Sequence, residues 1–181
     1  MQEEALGIRK EIGETATVAE SSLELASIAL EENRLGDAEK LAKTAREEFR
    51  AEKLNESEVL ARVVLARIYL ASNKAGDARK EIEQAAGMAA KSGFVGVRLS
   101  YAIESARVKA ATGKVVDGLK AAEGALAEAQ KLGYREFVLE AGLALGEMEM
   151  KSGRGAEGRK RLESVAKDAR EWGFLALAKK A

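Results

Sequence analysis

Residues 153–158, Gly153-Arg154-Gly155-Ala156-Glu157-Gly158, have the glycine spacing of a dinucleotide-phosphate turn, and Gly158-Arg159-Lys160 nearly completes a P-loop. Either motif works only where a strand feeds a helix N-terminus, so that free amides cradle a phosphate. Here a helix-periodic stretch precedes the glycines, Arg159 stands at the P-loop lysine position, and no hydroxyl follows. Packing is the better reading of those glycines. Acid–base chemistry has little more support. The aspartates are Asp37, Asp77, Asp117 and Asp168, and the glutamates alternate with Lys and Arg at helical spacing, as at Glu39, Lys40, Lys43 and Glu47. Such faces are ordinarily solvated. The chain has no Cys and no His, which excludes disulfides, cysteine nucleophiles and thiolate zinc sites, and removes the commonest general base and metal ligand. No catalytic residue, metal site or cofactor is expected. Two arginines offer binding chemistry instead: Arg67 and Arg107 could take a carboxylate or phosphate between them, if the fold makes them neighbours.

Their spacing of forty residues is the spacing of the whole chain. Positions 37, 77, 117 and 157 read Asp, Asp, Asp, Glu, and positions 33, 73, 113 and 153 read Asn, Asn, Gly, Gly. Positions 13, 53, 93, 133 and 173 read Gly, Lys, Gly, Gly, Gly, with Phe94, Tyr134 and Phe174 after the last three. Asn and Gly accept left-handed backbone at least cost, and a glycine followed by an apolar residue that folds back is a helix-stop pattern. Each period thus holds two stops and two helices. The carboxylates at 37, 77, 117 and 157 suit the first turn of the second helix, and Asn55 with Glu58 would form a capping box. Apolar spacing such as Val59, Val63, Ala66 and Leu70 is helical, and there is no proline. First helices are predicted near 16–32, 56–72, 96–112 and 136–152. Second helices fall near 35–52, 75–92, 115–132 and 155–172, and residues 2–12 read as the second helix of a preceding hairpin.

These columns resemble tetratricopeptide (TPR) repeats in a lengthened, forty-residue form. Small residues stand where paired helices approach: Ala26, Ala66, Ala106 and Gly146; Ala38, Ala78, Gly118 and Gly158; Ala45, Ala85, Ala125 and Val165. Leu25, Leu65 and Leu145 precede the first of those columns, with Ser105 in the third repeat. The aromatic residue of the pattern survives only as Tyr69, against Ala29, Lys109 and Glu149, and the proline that usually ends each repeat is absent. The resemblance implies an all-α fold, a right-handed superhelical solenoid of antiparallel helix hairpins. It would be one array over 1–181: a half repeat at 2–13, repeats at 16–53, 56–93, 96–133 and 136–173, and a cap at 174–181. Trp172, in the last turn before a stop, would help to close that end. The ending looks like that of bacterial signalling chains in which such an array follows a Ser/Thr kinase or transcription-regulator domain.

In proteins this chain resembles, first helices line a concave groove. The columns expected to face it are Glu20, Glu24, Ser27 and Glu31; Leu60, Val64, Arg67 and Ala71; Ser100, Glu104, Arg107 and Ala111; and Glu140, Ala144, Glu147 and Lys151. Leu60, Val64, Arg67, Glu104, Arg107 and Glu147 are the candidate ligand contacts. The competing reading has the arginines paired with Glu24, Glu104 or Glu147, keeping the groove soluble. The 181 residues carry 30 basic and 30 acidic side chains, are 46% hydrophobic and 33% charged, and so suit a folded chain without the basic footprint of a nucleic-acid binder. Gly142 and Gly146 have the spacing of close-packed membrane helices, but Glu147, Glu149 and Lys151 prohibit a span. No targeting segment is visible, and the cytoplasm is the default location. The expected function is a non-catalytic protein–protein interaction scaffold that holds a peptide or partner helix. The alternative is a regulatory or self-assembly segment of a bacterial signalling protein, forming a homodimer through the half repeat, where Leu6, Ile8 and Ile12 need cover.

Overall fold

The apolar columns fall on helices throughout. The structure is a computed structural model and describes residues 15–181, so the half repeat at 2–13 and any assembly through it lie outside the described residues. First helices of the hairpins are α1 (Thr15–Glu31), α3 (Asn55–Ala71), α5 (Val95–Ala111) and α7 (Arg135–Lys151). Second helices are α2 (Leu35–Ala51), α4 (Ala75–Lys91), α6 (Val115–Leu132) and α8 (Gly155–Glu171), and a short α9 (Leu175–Lys180) follows. No strand occurs among the described residues.

Short turns join these helices, and in most of them backbone conformation rather than side-chain capping makes the stop. Asn33, Lys53, Asn73, Gly113, Gly133, Gly153 and Gly173 all have positive φ, between 57° and 90°. After α1, the amide of Arg34 reaches the carbonyl of Ala29 and that of Asn33 reaches Leu30, the paired bonds of a Schellman stop. The same pair recurs at Leu54/Lys53, Lys74/Asn73, Lys114/Gly113, Tyr134/Gly133 and Phe174/Gly173. Asp37, Asp77, Asp117 and Glu157 then sit in the first turns of α2, α4, α6 and α8.

Three expectations are corrected. Gly93 is not a left-handed stop: Ser92 ends α4 in an extended conformation (φ −66°, ψ 131°), and its hydroxyl accepts the Phe94 amide at 3.1 Å. A serine turn therefore replaces the glycine turn, and Phe94 is left 68% exposed. Phe174 folds back as the stop pattern requires, onto Leu139, Leu143, Val165, Ala169 and Ala178, whereas Tyr134 stays 45% exposed. Asn55 and Glu58 do not form a capping box either. Leu54 precedes α3 with no side-chain cap bond, and the Glu58 carboxylate is taken by Arg62.

The chain divides into two compact units, residues 1–101 and 102–181. In the first, α2 packs on α1, α3 on α2 and α4 on α3, with α1 also beside α3. Ala19, Ala45, Phe49 and Ala61 form one buried cluster there. In the second, α7 packs between α6 and α8, and α9 rests on α8 and α7. Small residues set the helix separation. A Cβ added at Gly158 would lie 2.8 Å from the Gly146 carbonyl oxygen, and one at Gly118 would lie 2.7 Å from that of Ala106. One at Gly142 would meet Val165 at 2.8 Å. The glycines of the nucleotide-like stretch thus serve a turn and a helix contact, behind a helix and not a strand.

Candidate functional site

Helix α3 is largely interior. Glu58, Val59, Ala61, Arg62, Val63, Leu65, Ala66, Ile68 and Tyr69 are buried, and one accessible stripe runs past them: Glu56, Leu60, Val64, Arg67 and Ala71. Side chains three and four apart share a helix face, so these form a continuous line. Leu60, Val64 and Arg67 are half-buried and Ala71 is exposed. On α1, its neighbour, Glu20, Glu24, Ile28 and Glu31 are exposed and Ser27 is half-buried, its hydroxyl donating to the Leu23 carbonyl at 3.1 Å. Residues forty apart thus present an acidic stripe beside a partly apolar one.

Behind this face lies an ionic core not anticipated from the sequence. Arg62 donates to Glu58 Oε1 at 2.9 and 2.7 Å, to Glu81 Oε2 at 2.6 Å, and to the Gln84 side-chain oxygen. Arg46 donates to the other Glu81 oxygen at 2.7 Å, so the network joins α2, α3 and α4. Glu58, Arg62 and Glu81 are 6%, 5% and 7% exposed, so each charge is compensated in a place where an unpaired one would be costly. The columns carried a signal: Arg62 stands where other repeats have Ser22, Ala102 and Gly142, and Glu81 where they have Leu41, Ala121 and Arg161. A second link joins α2 to α3. Glu39 accepts Lys43 at 2.7 Å, Lys74 at 3.3 Å and the Tyr69 hydroxyl at 3.4 Å. The Lys43 bond holds the Glu39 carboxyl below its ordinary pKa, and burial pushes the Tyr69 phenol up.

In the second unit, Arg107 is engaged by two carboxylates, with Nε 3.2 Å from Glu147 Oε2 and Nη1 3.3 Å from Glu104 Oε2. Glu147 is partly accessible, but Glu104 is fully buried, so its expected place on the accessible face is corrected. It lies under Arg107 and orients the guanidinium. Ala144, also expected outward, is buried as well. Glu149, at the position where Tyr69 keeps the aromatic, is 3% exposed and accepts two 2.9 Å bonds from Arg161 on α8. Those bonds lower its pKa against the opposing effect of burial. Trp172 packs against the cluster of Leu139, Leu143 and Val165, with the Arg135 guanidinium 5.3 Å over its ring. It is therefore an end piece of this unit's core. No group of three or more His, Cys, Asp or Glu able to hold a metal occurs among the described residues, and no described helix is long and apolar enough to cross a membrane.

No protein-family model and no curated protein matches the chain. Solved structures do. The crystal structure of nearly identical TPR-like repeats from a Podosopora anserina protein described as a kinesin light chain is 23% identical, with a TM-score of 0.59, covering 94% of this chain and 85% of that one. A singly substituted form of those repeats is 22% identical with a TM-score of 0.61, covering 96% of this chain and 85% of that one. With the helix order and the turn geometry, these likenesses give the fold: TPR-like helical hairpins, all-α among the described residues.

Proposed function

We propose that this chain is a non-catalytic protein-interaction scaffold that holds a peptide or a partner helix along the accessible stripes of its first helices. The observation that carries this is the selective exposure on α3. From Glu58 to Tyr69 every other position is buried, yet Leu60, Val64 and Arg67 stay at the surface in line with Ala71. An extended peptide or an amphipathic helix suits such a line, since both offer apolar side chains at regular intervals. In this reading Leu60, Val64 and Arg67 contact the ligand in the first unit. Arg107 and Glu147 do so in the second, with Glu104 holding Arg107 in place.

Selection of a random peptide library on the full chain tests it. Enriched peptides should lose binding to a Leu60→Asp/Val64→Asp variant whose helical circular dichroism is unchanged. Peptides that bind the variant as well as the parent would sink the proposal.

A further inference from the structure

We infer that the occupant of the α1–α3 face is a cationic amphipathic segment, with Lys or Arg on one side and aliphatic residues on the other. This rests on the peptide-binding reading and assigns the chemistry of its ligand. Helix α1 contains no basic residue. Glu20 and Glu24 are exposed, and neither has a hydrogen bond or ion pair among the described residues; Glu56, at the head of the α3 stripe, is likewise unengaged there. The basic residues of these two helices are Arg62 and Arg67. Arg62 is buried and saturated by Glu58, Glu81 and Gln84, and Arg67 already has a partner. The face therefore presents unneutralised carboxylates beside Leu60 and Val64.

Charge complementarity selects a basic partner, and the apolar line requires that it be amphipathic. Glu20 and Glu24 lie one turn apart, about 6 Å along the axis, which matches basic residues three or four apart on a bound helix. A ligand clamped through its own carboxylate or phosphate is disfavoured on the arginine side, because Arg107 is held by Glu104 and Glu147.

The test uses the full chain and two fluorescein-labelled helical peptides of one length and pattern, one of Leu and Lys, the other of Leu and Glu. Fluorescence anisotropy should show saturable binding of the Leu/Lys peptide that weakens with added salt. The Glu20→Gln/Glu24→Gln/Glu56→Gln variant should bind it about tenfold more weakly, as expected for three surface pairs. Unchanged affinity in that variant, or preference for the Leu/Glu peptide, overturns the inference. The peptide-binding reading is judged separately by Leu60→Ala/Val64→Ala. Leu/Glu binding that this variant loses would keep the face and reverse its charge preference. Binding indifferent to it, or no binding of either peptide, would overturn both.

Discussion

Alanine in place of glycine should have opposite effects at two positions of the second unit, and the sign follows from what the new methyl meets. At Gly124, in the exposed middle of α6, a Cβ has nothing within 4 Å, so alanine should stabilise by about 0.8–1 kcal/mol, the ordinary helix-propensity difference. At Gly158 the same methyl would lie 2.8 Å from the Gly146 oxygen, 2.8 Å from the Met150 nitrogen and 2.9 Å from Met150 Cγ. Two of those atoms are backbone, so α8 itself must retreat from α7. Overpacking of that kind costs about 1–3 kcal/mol, which offsets the propensity gain and leaves a net loss of up to about 2 kcal/mol. Gly133→Ala should lose about 1–2 kcal/mol for a different reason: its surroundings are open, but φ is +73°. Trp172, the sole tryptophan, lies in the same unit, so urea titration followed by its fluorescence reports on all three variants. Gly124→Ala and Gly158→Ala should differ by about 1–3 kcal/mol, the overpacking cost itself, and Gly158→Ala as stable as Gly124→Ala would refute the packing account.

Arg62→Met should cost about 3–5 kcal/mol, because it strands the buried Glu58 carboxylate and leaves Glu81 to Arg46 alone; the compensated Glu58→Leu/Arg62→Met variant, in which Glu81 keeps Arg46, should regain most of that in urea denaturation. Arg161→Met should cost about 2 kcal/mol at neutral pH, less than a sealed pair, since Arg161 is 34% exposed. The pH dependence has a definite sign. The folded Glu149 pKa is lowered, so this stabilisation is complete above the unfolded carboxylate value of about 4.3–4.5 and is lost as pH falls through the folded value. Stability curves of parent and Arg161→Met should therefore converge in acid, and a gap that stays constant down the titration would count against the pair. Lys53→Gly should stabilise by about 0.5–1 kcal/mol in thermal melts, since a lysine holds φ at +57° there.

Helix positions were legible from the chain because the two signals that set them, small residues at crossings and left-handed stops, are local and repeat every forty residues. The misplaced stop shows where that logic fails. Gly93 sits in the right column, yet Ser92 supplies a hydroxyl that accepts the Phe94 amide, two residues on, without left-handed backbone. Glu58 misled in the same way: three residues after Asn55 it satisfies the capping pattern, but a buried guanidinium one turn away is the stronger partner. The candidate face was read in part. Leu60, Val64 and Arg67 lie on the accessible stripe, whereas the burial of Glu104 depends on neighbours that spacing alone does not specify.

The repeats also act as an internal comparison that separates packing from function. Columns that stay small, such as Ala26, Ala66, Ala106 and Gly146, are helix contacts and cannot vary without moving a helix. Columns that vary fall into two kinds. Ser22, Arg62, Ala102 and Gly142 vary toward the interior, where Arg62 is tolerated only because Glu58, Glu81 and Gln84 compensate it. Glu20, Leu60, Ser100 and Glu140 vary along the exposed and half-buried stripe, outside the close helix crossings. An interior change such as Arg62 needs matching residues on two helices, whereas a stripe position has fewer contacts to match, so the proposed ligand preference can vary along the stripe at less cost to the fold. That asymmetry is why the unpaired Glu20 and Glu24 carry more information about a partner than the paired arginines do.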